Sequence, residues 1–135
     1  LPAIALSMVG ERISHYETGA RVAQMLVKQL QAHSLPAQTI LNVNIPDLPF
    51  SEIKGIEVTR LGTRHKSEPT VKANDPRGHE IYWIGPPGAE ADAGAGTDFH
   101  AVKRGFVSVT PLHLDMTNYK LFERLSVWLD AMDTP

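Results

Sequence analysis

The sequence predicts an α/β fold, and three observations carry that expectation. A short apolar run opens the chain at residues 3–6. Residues 16–31 follow it with apolar side chains at helical spacing. Two later runs, Ile40 to Ile45 and Phe106 to Thr110, carry the β-branched residues that suit a pleated surface.

The elements follow in order. Residues 3–6 read as a strand covered on both faces, of the kind found inside a parallel sheet, with residues 7–10 as its exit loop. In the helix, Ala20, Ala23, Leu26, Val27 and Leu30 form the apolar set, and residues 34–36 end it. The strand through Ile40, Val43 and Ile45 is closed by Pro46 and Pro49, since proline has no N–H for a ladder. Residues 55–62 read as another strand, with Ile56 and Val58 alternating against Glu57 and Thr59.

A polar stretch, residues 63–73, precedes "NDPRG", where Pro76 suits the second position of a tight turn from Asp75 to Gly78. "HEIYWIG" then runs as a strand, so residues 71–84 read as a projecting β-hairpin. Residues 85–96 are small, flexible and weakly acidic, and read as a loop. Thr97 suits the N-cap of a short helix through Val102 or Lys103. "GFVSVTPLH" is a further strand. Thr117 or Asn118 then caps a last helix over residues 117–132, with Leu121, Phe122, Leu125, Trp128, Leu129 and Met132 as its apolar stripe. Residues 1–135 show no internal repeat or domain boundary.

Composition narrows the function. Hydrophobic residues make up 42% of the chain, which suits a packed core. The 13 basic and 15 acidic residues are mixed and leave a net charge of −2, without the basic stripe that a nucleic acid polymer requires. The apolar start is too short to span a bilayer, so no membrane partner is expected. There are no cysteines, hence no disulfide framework and no thiolate zinc site, and a cytoplasmic location is the default expectation.

Six histidines, His15, His33, His65, His79, His100 and His113, raise a metal or hydrolase hypothesis. None pairs with another at the i, i+4 spacing that sets two imidazoles on one helix face. Ordinary surface or hydrogen-bonded roles are favoured. Asp98 and His100 point apart on a helix, and the simpler role of Asp98 is to complement the helix dipole. The glycine-rich residues 85–96 match neither the Walker pattern nor the dinucleotide fingerprint. Ser7 lies where strands of an open α/β sheet present ligands, and it suits equally a substrate contact or a turn cap. Tyr82 and Trp83 fall on opposite faces of the hairpin. A two-stranded arm is marginal in water by itself, so a partner chain is expected to cover it.

Five stretches, "ILNVNIPDLP", "GIEVTRLGTRH", "DPRGHEIYWIGPPG", "GTDFHAV" and "GFVSVTPLHLDMT", occur in that order. Together they resemble the carboxyl-terminal half of the SurE family, the stationary-phase survival nucleotidases. "LPAIALS" resembles that family's central strand, and the match extends to about Trp128. The resemblance implies the remainder of a three-layer fold with a Rossmann-like sheet, a projecting hairpin and a carboxyl-terminal helix. It implies a metal-dependent phosphatase, using Mg²⁺ or Mn²⁺, that hydrolyses nucleoside 5′- and 3′-monophosphates. It also implies homodimers or homotetramers built by the hairpin and an exchanged terminal segment.

The family's metal is held by an Asp-Asp pair near the amino terminus, a later Ser, and an Asn in a Gly- and Asn-rich loop. All precede the region matching Leu1, and no Asp-Asp pair occurs here. The expectation is therefore a back half whose metal ligands and catalytic residues lie elsewhere, and which is inactive alone. Ser7, Arg64, His65 and Thr97 are the candidate substrate-lining residues; Arg60, Arg64 and Lys66 carry charge that attracts a phosphate, although surface solvation is the commoner fate of such cations. The alternatives are a non-catalytic assembly module using the hairpin and last helix, and a hydrolase built on the histidines.

Overall fold

A computed structural model describes residues 2–132; Leu1 and residues 133–135 of the expected domain lie outside the described residues. In chain order the elements are β1 (Ala3–Val9), α1 (Tyr16–Ala32), β2 (Thr39–Pro46), a one-turn helix Phe50–Glu52, β3 (Ile56–Val58), β4 (Thr63–Arg64) and β5 (Val71–Asn74). There follow β6 (Glu80–Trp83), β7 (Glu90–Asp92), α2 (Asp98–Lys103), β8 (Val107–His113), a one-turn helix Tyr119–Leu121 and α3 (Phe122–Asp130). The fold is α/β.

The main sheet has four strands in the order β1-β2-β8-β3. It is mixed: β1 runs parallel to β2 and β3 parallel to β8, while β8 is antiparallel to β2. β1 continues past the four apolar residues read from the sequence. Ser7 pairs with Asn44, Met8 with Ile45 and Val9 with Pro46, so residues 7–9 belong to the ladder and not to an exit loop. β1 also lies at the end of the strand order, with Leu6 and Val9 exposed. The covering on both faces that its apolar run suggested is not supplied by the described residues.

Alternation along the strands gives the sheet two unlike faces. One face is apolar. Val43, Ile45 and Val107 are fully buried there against Val22 of α1, with Ile4, Met8 and Leu26 packed around them. Burying Val22 alone is worth roughly 1.5–3 kcal/mol. Thr18, Val22 and Leu26, four residues apart, form the inward face of α1, and Thr18 Oγ1 donates to the Leu48 carbonyl (2.8 Å). Ala20 and Val27, included in the sequence-derived stripe, are turned outward. Gly19 lies on the side of α1 next to β1, where a Cβ would fall 2.9 Å from Met8 Sδ.

The second face is polar. Ser7, Asn44, Ser108 and Glu57 stand opposite one another across all four strands. The hydroxyls of Thr59 and Thr110 share a hydrogen bond of 2.7 Å on the same face. The short helix α2 covers part of it and buries Ala101.

Two small ribbons stand beside the sheet. β4 and β7 pair antiparallel with an irregular register, so residues 63–73 and 85–96 are not simply polar stretch and loop. β5 and β6 form a hairpin in which Val71 faces Trp83 and Asn74 faces Glu80. Its turn closes with Gly78 N–H donating to Asp75 O (2.9 Å), and Gly78 adopts a φ of +87°, a value glycine takes without strain. Pro76 thus occupies the position its fixed φ suits. At the carboxyl end, neither Thr117 nor Asn118 caps a helix through its side chain. Asp115 does the local work, accepting from Thr117 N–H (2.9 Å) and Tyr119 Oη (2.6 Å). The phenol is the main cause that lowers its carboxyl pKa to about 2.

Candidate functional site

Asn44 sits near the carboxyl end of β2 on the polar face, and Val9 ends the neighbouring β1. Beside them α2 presents Asp98, Phe99, Val102 and Lys103, and the β4–β7 ribbon presents Arg64 and Glu90. These side chains enclose a cavity of about 250 Å³. It lies beyond the carboxyl ends of two parallel strands, where open α/β sheets gather ligands. A larger hollow of about 630 Å³ lies along the outward side of α1, between Arg21, Gln24, Lys28 and Phe50. It has no place in the strand-end geometry.

The first turn of α2 fixes the cavity floor. Thr97 is the N-cap: its Oγ1 accepts from His100 N–H (3.2 Å) and donates to Gly94 O (2.7 Å). Asp98 is 8% exposed, and its Oδ1 accepts from Gly62 N–H (2.8 Å) and its own neighbour Phe99 N–H (2.9 Å). Asn44 Nδ2 approaches its other oxygen at 3.4 Å. A buried carboxylate needs such donors. Asp98 thereby ties α2, the turn before β4, and β2 into one unit.

The ribbon is drawn onto α2 by close approaches that only glycine permits. A side chain at Gly62 would overlap the Phe99 ring and the Asp92 carbonyl, and one at Gly88 would overlap the His65 carbonyl. Arg60 grips Asp92, with Nη2–Oδ1 at 3.2 Å, and this hydrogen bond is the main cause that lowers the Asp92 pKa and raises that of Arg60. Lys103 pairs with Glu90 at the cavity. The Arg64 guanidinium lies over the Phe99 ring, 4.8 Å from its centroid, and Nη1 donates to Gly88 O (3.2 Å). Such a cation over an aromatic face is attracted by the ring quadrupole.

Of the four substrate-lining candidates, Arg64 alone lines this cavity. Ser7 is exposed on β1, opposite Asn44. His65 is exposed next to Arg64, and its backbone N–H donates to Ala89 O (2.7 Å). Thr97 is fully buried with its hydroxyl committed to the cap. Asn44, Glu90, Phe99 and Lys103 were not singled out from the sequence. Asn44 had a legible signal, since Asn42 and Asn44 alternate with Val43 and Ile45 and so mark a polar strand face.

A second polar cluster joins the segment before α1 to the end of β2. Asp47 accepts from His15 N–H (2.8 Å), Ser14 N–H (3.0 Å) and Ser14 Oγ (3.1 Å), and lies 3.1 Å from His15 Nδ1. Burial alone would raise the Asp47 pKa; the His15 and Ser14 hydrogen bonds outweigh it, and the net shift is downward. Among the described residues, no group of three His, Asp or Glu side chains is placed to hold a metal ion. The donor set agrees with that: Asp98, Glu90, Asp92 and Asp47 each already have their own hydrogen-bond or ion-pair partners. The described residues do not fit a divalent metal.

Comparison with known proteins identifies the frame. The family model described as Survival protein SurE matches residues 1–68. A protein of Legionella pneumophila named 5′-nucleotidase SurE is 68% identical over 132 residues, which is 98% of this chain and 53% of that protein. One of the same name from Coxiella burnetii is 52% identical over 133 residues, again 98% of this chain and 52% of that protein. The crystal structure of SurE protein from Aquifex aeolicus, 45% identical, superposes with a TM-score of 0.74 over 96% of this chain and 52% of that one. The chain spans about half the length of the curated relatives it matches. By sequence and by architecture, this chain belongs to the SurE family.

Proposed function

We propose that this chain supplies the carboxyl-terminal half of a metal-dependent nucleotidase that hydrolyses nucleoside 5′- and 3′-monophosphates to nucleoside and phosphate. The observation that carries it is the 68% identity, over 98% of the chain, to a protein named 5′-nucleotidase SurE. Mg²⁺ or Mn²⁺ would be held by the other half, because the described residues here offer no fitting donor set. A hard divalent cation on oxygen ligands would polarise the phosphoryl group. In this reading the half forms a wall of the substrate site, with Arg64 as the candidate side chain that lines it. The expected setting is the cytoplasm; among the described residues no helix is long and apolar enough to cross a membrane.

The test is a comparison of two proteins with adenosine 5′-monophosphate and Mg²⁺ or Mn²⁺. One is this chain alone. The other is this chain carried behind the amino-terminal half of the Legionella relative, called here the joined protein. Phosphate release is expected from the joined protein only. Metal-dependent turnover by the chain alone refutes the division of labour, and an inactive, folded joined protein refutes the nucleotidase reading.

A second reading, a non-catalytic assembly module, draws on a separate observation. Tyr82 and Trp83 on the hairpin, and Phe122, Trp128 and Leu129 on α3, are all more than half exposed. Apolar surface of this extent seeks a partner. In the nucleotidase reading the same surfaces build a homodimer or homotetramer.

A further inference from the structure

We propose that His15, held by Asp47 beyond the carboxyl ends of β1 and β2, is the proton donor to the leaving nucleoside oxygen. This rests on the nucleotidase reading and adds a catalytic residue and its positioning partner to it.

Place in the fold supports the assignment first. β1 and β2 run parallel and end at Val9 and Pro46. Asp47 follows Pro46 directly, and its backbone N–H donates to Val9 O (3.3 Å). His15 closes the segment that leads from Val9 into α1. The pair therefore stands where the strands of an open α/β sheet present ligands. His15 is also the N-cap of α1, a position that Ser, Thr, Asp or Asn serves better, and its side chain makes no cap hydrogen bond. The ring is turned to Asp47 instead.

Hydrogen bonding then fixes what the ring can do. Nδ1 lies 3.1 Å from Asp47 Oδ1 and 3.1 Å from Ser14 Oγ. The hydrogen bonds from Ser14 and His15 favour the ionised form of Asp47, which only accepts. The Ser14 hydroxyl donates its own hydrogen to Asp47 Oδ2 (3.1 Å). Nδ1 is thus the nitrogen that carries the hydrogen in the neutral ring. Nε2 has no hydrogen-bond partner among the described residues, and the side chain is 31% exposed. Among the described residues Asp47 is the charged group paired with this ring. A carboxylate that sets the tautomer on one nitrogen leaves the other to carry a proton in and out. A serine nucleophile does not fit, because Ser14 and Asp47 approach the same nitrogen.

The step balances as follows. A nucleoside alkoxide leaves poorly, and a proton delivered to it in the transition state is general acid catalysis. Water forms the new P–O bond while the bond from phosphorus to the ester oxygen breaks. The electron pair leaves on that oxygen, which takes the proton from protonated Nε2. The proton that the water loses restores the protonated ring. Asp47 keeps the hydrogen on Nδ1 in place and takes up none itself.

The experiment uses the joined protein in two ways. In the first, His15→Gln is assayed with adenosine 5′-monophosphate and with 4-nitrophenyl phosphate, whose phenolate leaves without a proton. Turnover of the nucleotide is expected to fall roughly a hundredfold, and that of the nitrophenyl ester by no more than about threefold. Asp47→Asn, which keeps an acceptor and loses the charge, is expected to show a smaller loss with the same dependence on the leaving group. In the second, the unmutated protein is treated with diethyl pyrocarbonate, and modification of His15 is followed by mass spectrometry. Adenosine 5′-monophosphate is expected to protect the ring.

Equal losses on the two substrates give His15 a structural role and overturn the proposal. So does a His15→Gln protein that retains its turnover of the nucleotide, or labelling of His15 that the nucleotide leaves unchanged. A joined protein without turnover on either substrate defeats the nucleotidase reading instead, and protection of His15 still decides whether the ring faces the nucleotide. Protection decides it equally where His15→Gln fails to fold.

Discussion

Asp98 shows how one side chain joins distant parts of the chain. Its carboxylate holds Gly62 N–H across 36 positions and Phe99 N–H next to it, and it reaches Asn44 on the sheet. From the sequence it reads as a first-turn acid suited to the helix dipole, which is true of its place but not of its main partners. The partners were illegible because they depend on a long-range approach, licensed by Gly62 against the Phe99 ring. Truncation would strand two backbone donors in a buried setting. Asp98→Ala is expected to cost the joined protein roughly 2–4 kcal/mol, and Asp98→Asn about 1 kcal/mol, because the amide oxygen still accepts. Denaturant midpoints of the two variants check this. Equal midpoints for Asp98→Ala and the parent would mean that other groups, or water, satisfy those donors. Thr97 and Arg64 show the opposite cases. The Thr97 cap was legible from local chemistry. Arg64 was legible only as one cation among several, since its seat on Phe99 is a tertiary contact.

At the scale of elements, sequence patterns located α1, β2 and β8 closely because each buries a periodic face. They missed β7, whose three residues, Glu-Ala-Asp, carry no β-propensity and pair with β4 only because Arg60 and Gly88 draw the two segments together. The hairpin was legible for a local reason, the Pro76–Gly78 turn. Its own stability poses a problem. An isolated two-stranded ribbon is marginal in water, yet this one carries Tyr82, Trp83 and Ile84 at 61%, 65% and 85% exposure. Burial of those groups in a partner subunit would offset the deficit at about 25 cal/mol per Å² of apolar surface. Deleting residues 71–84 from the joined protein is therefore expected to reduce the oligomer to a smaller species, read by light scattering coupled to gel filtration. An unchanged mass would remove the arm from assembly and leave α3 as its remaining candidate.

For the whole molecule, the unequal covering of the sheet matters most. The apolar face is closed by α1, and its buried core of Val22, Val43, Ile45 and Val107 is small. The outer edge of β1 pairs with no strand among the described residues, while Leu6 and Val9 on it are 41% and 43% exposed. β3 leaves Val58 82% exposed at the other end of the sheet, and α3 shows Trp128 and Leu129 at 56% and 61%. An open strand edge beside apolar surface is a template for intermolecular pairing. The relatives are about twice as long as this chain, and the unpaired edge of β1 offers the place where a further strand would pair. Expressed alone, the chain is expected to form polydisperse aggregates and to bind a hydrophobic dye, whereas the joined protein elutes as one discrete oligomer. The contrast separates two sources of exposure. Surface that belongs between subunits stays capable of ordered assembly, but surface that belongs inside a domain does not. A sharp monomeric peak with a cooperative melt from the chain alone would show that the four-stranded sheet closes its own core, and that β1 needs no neighbour.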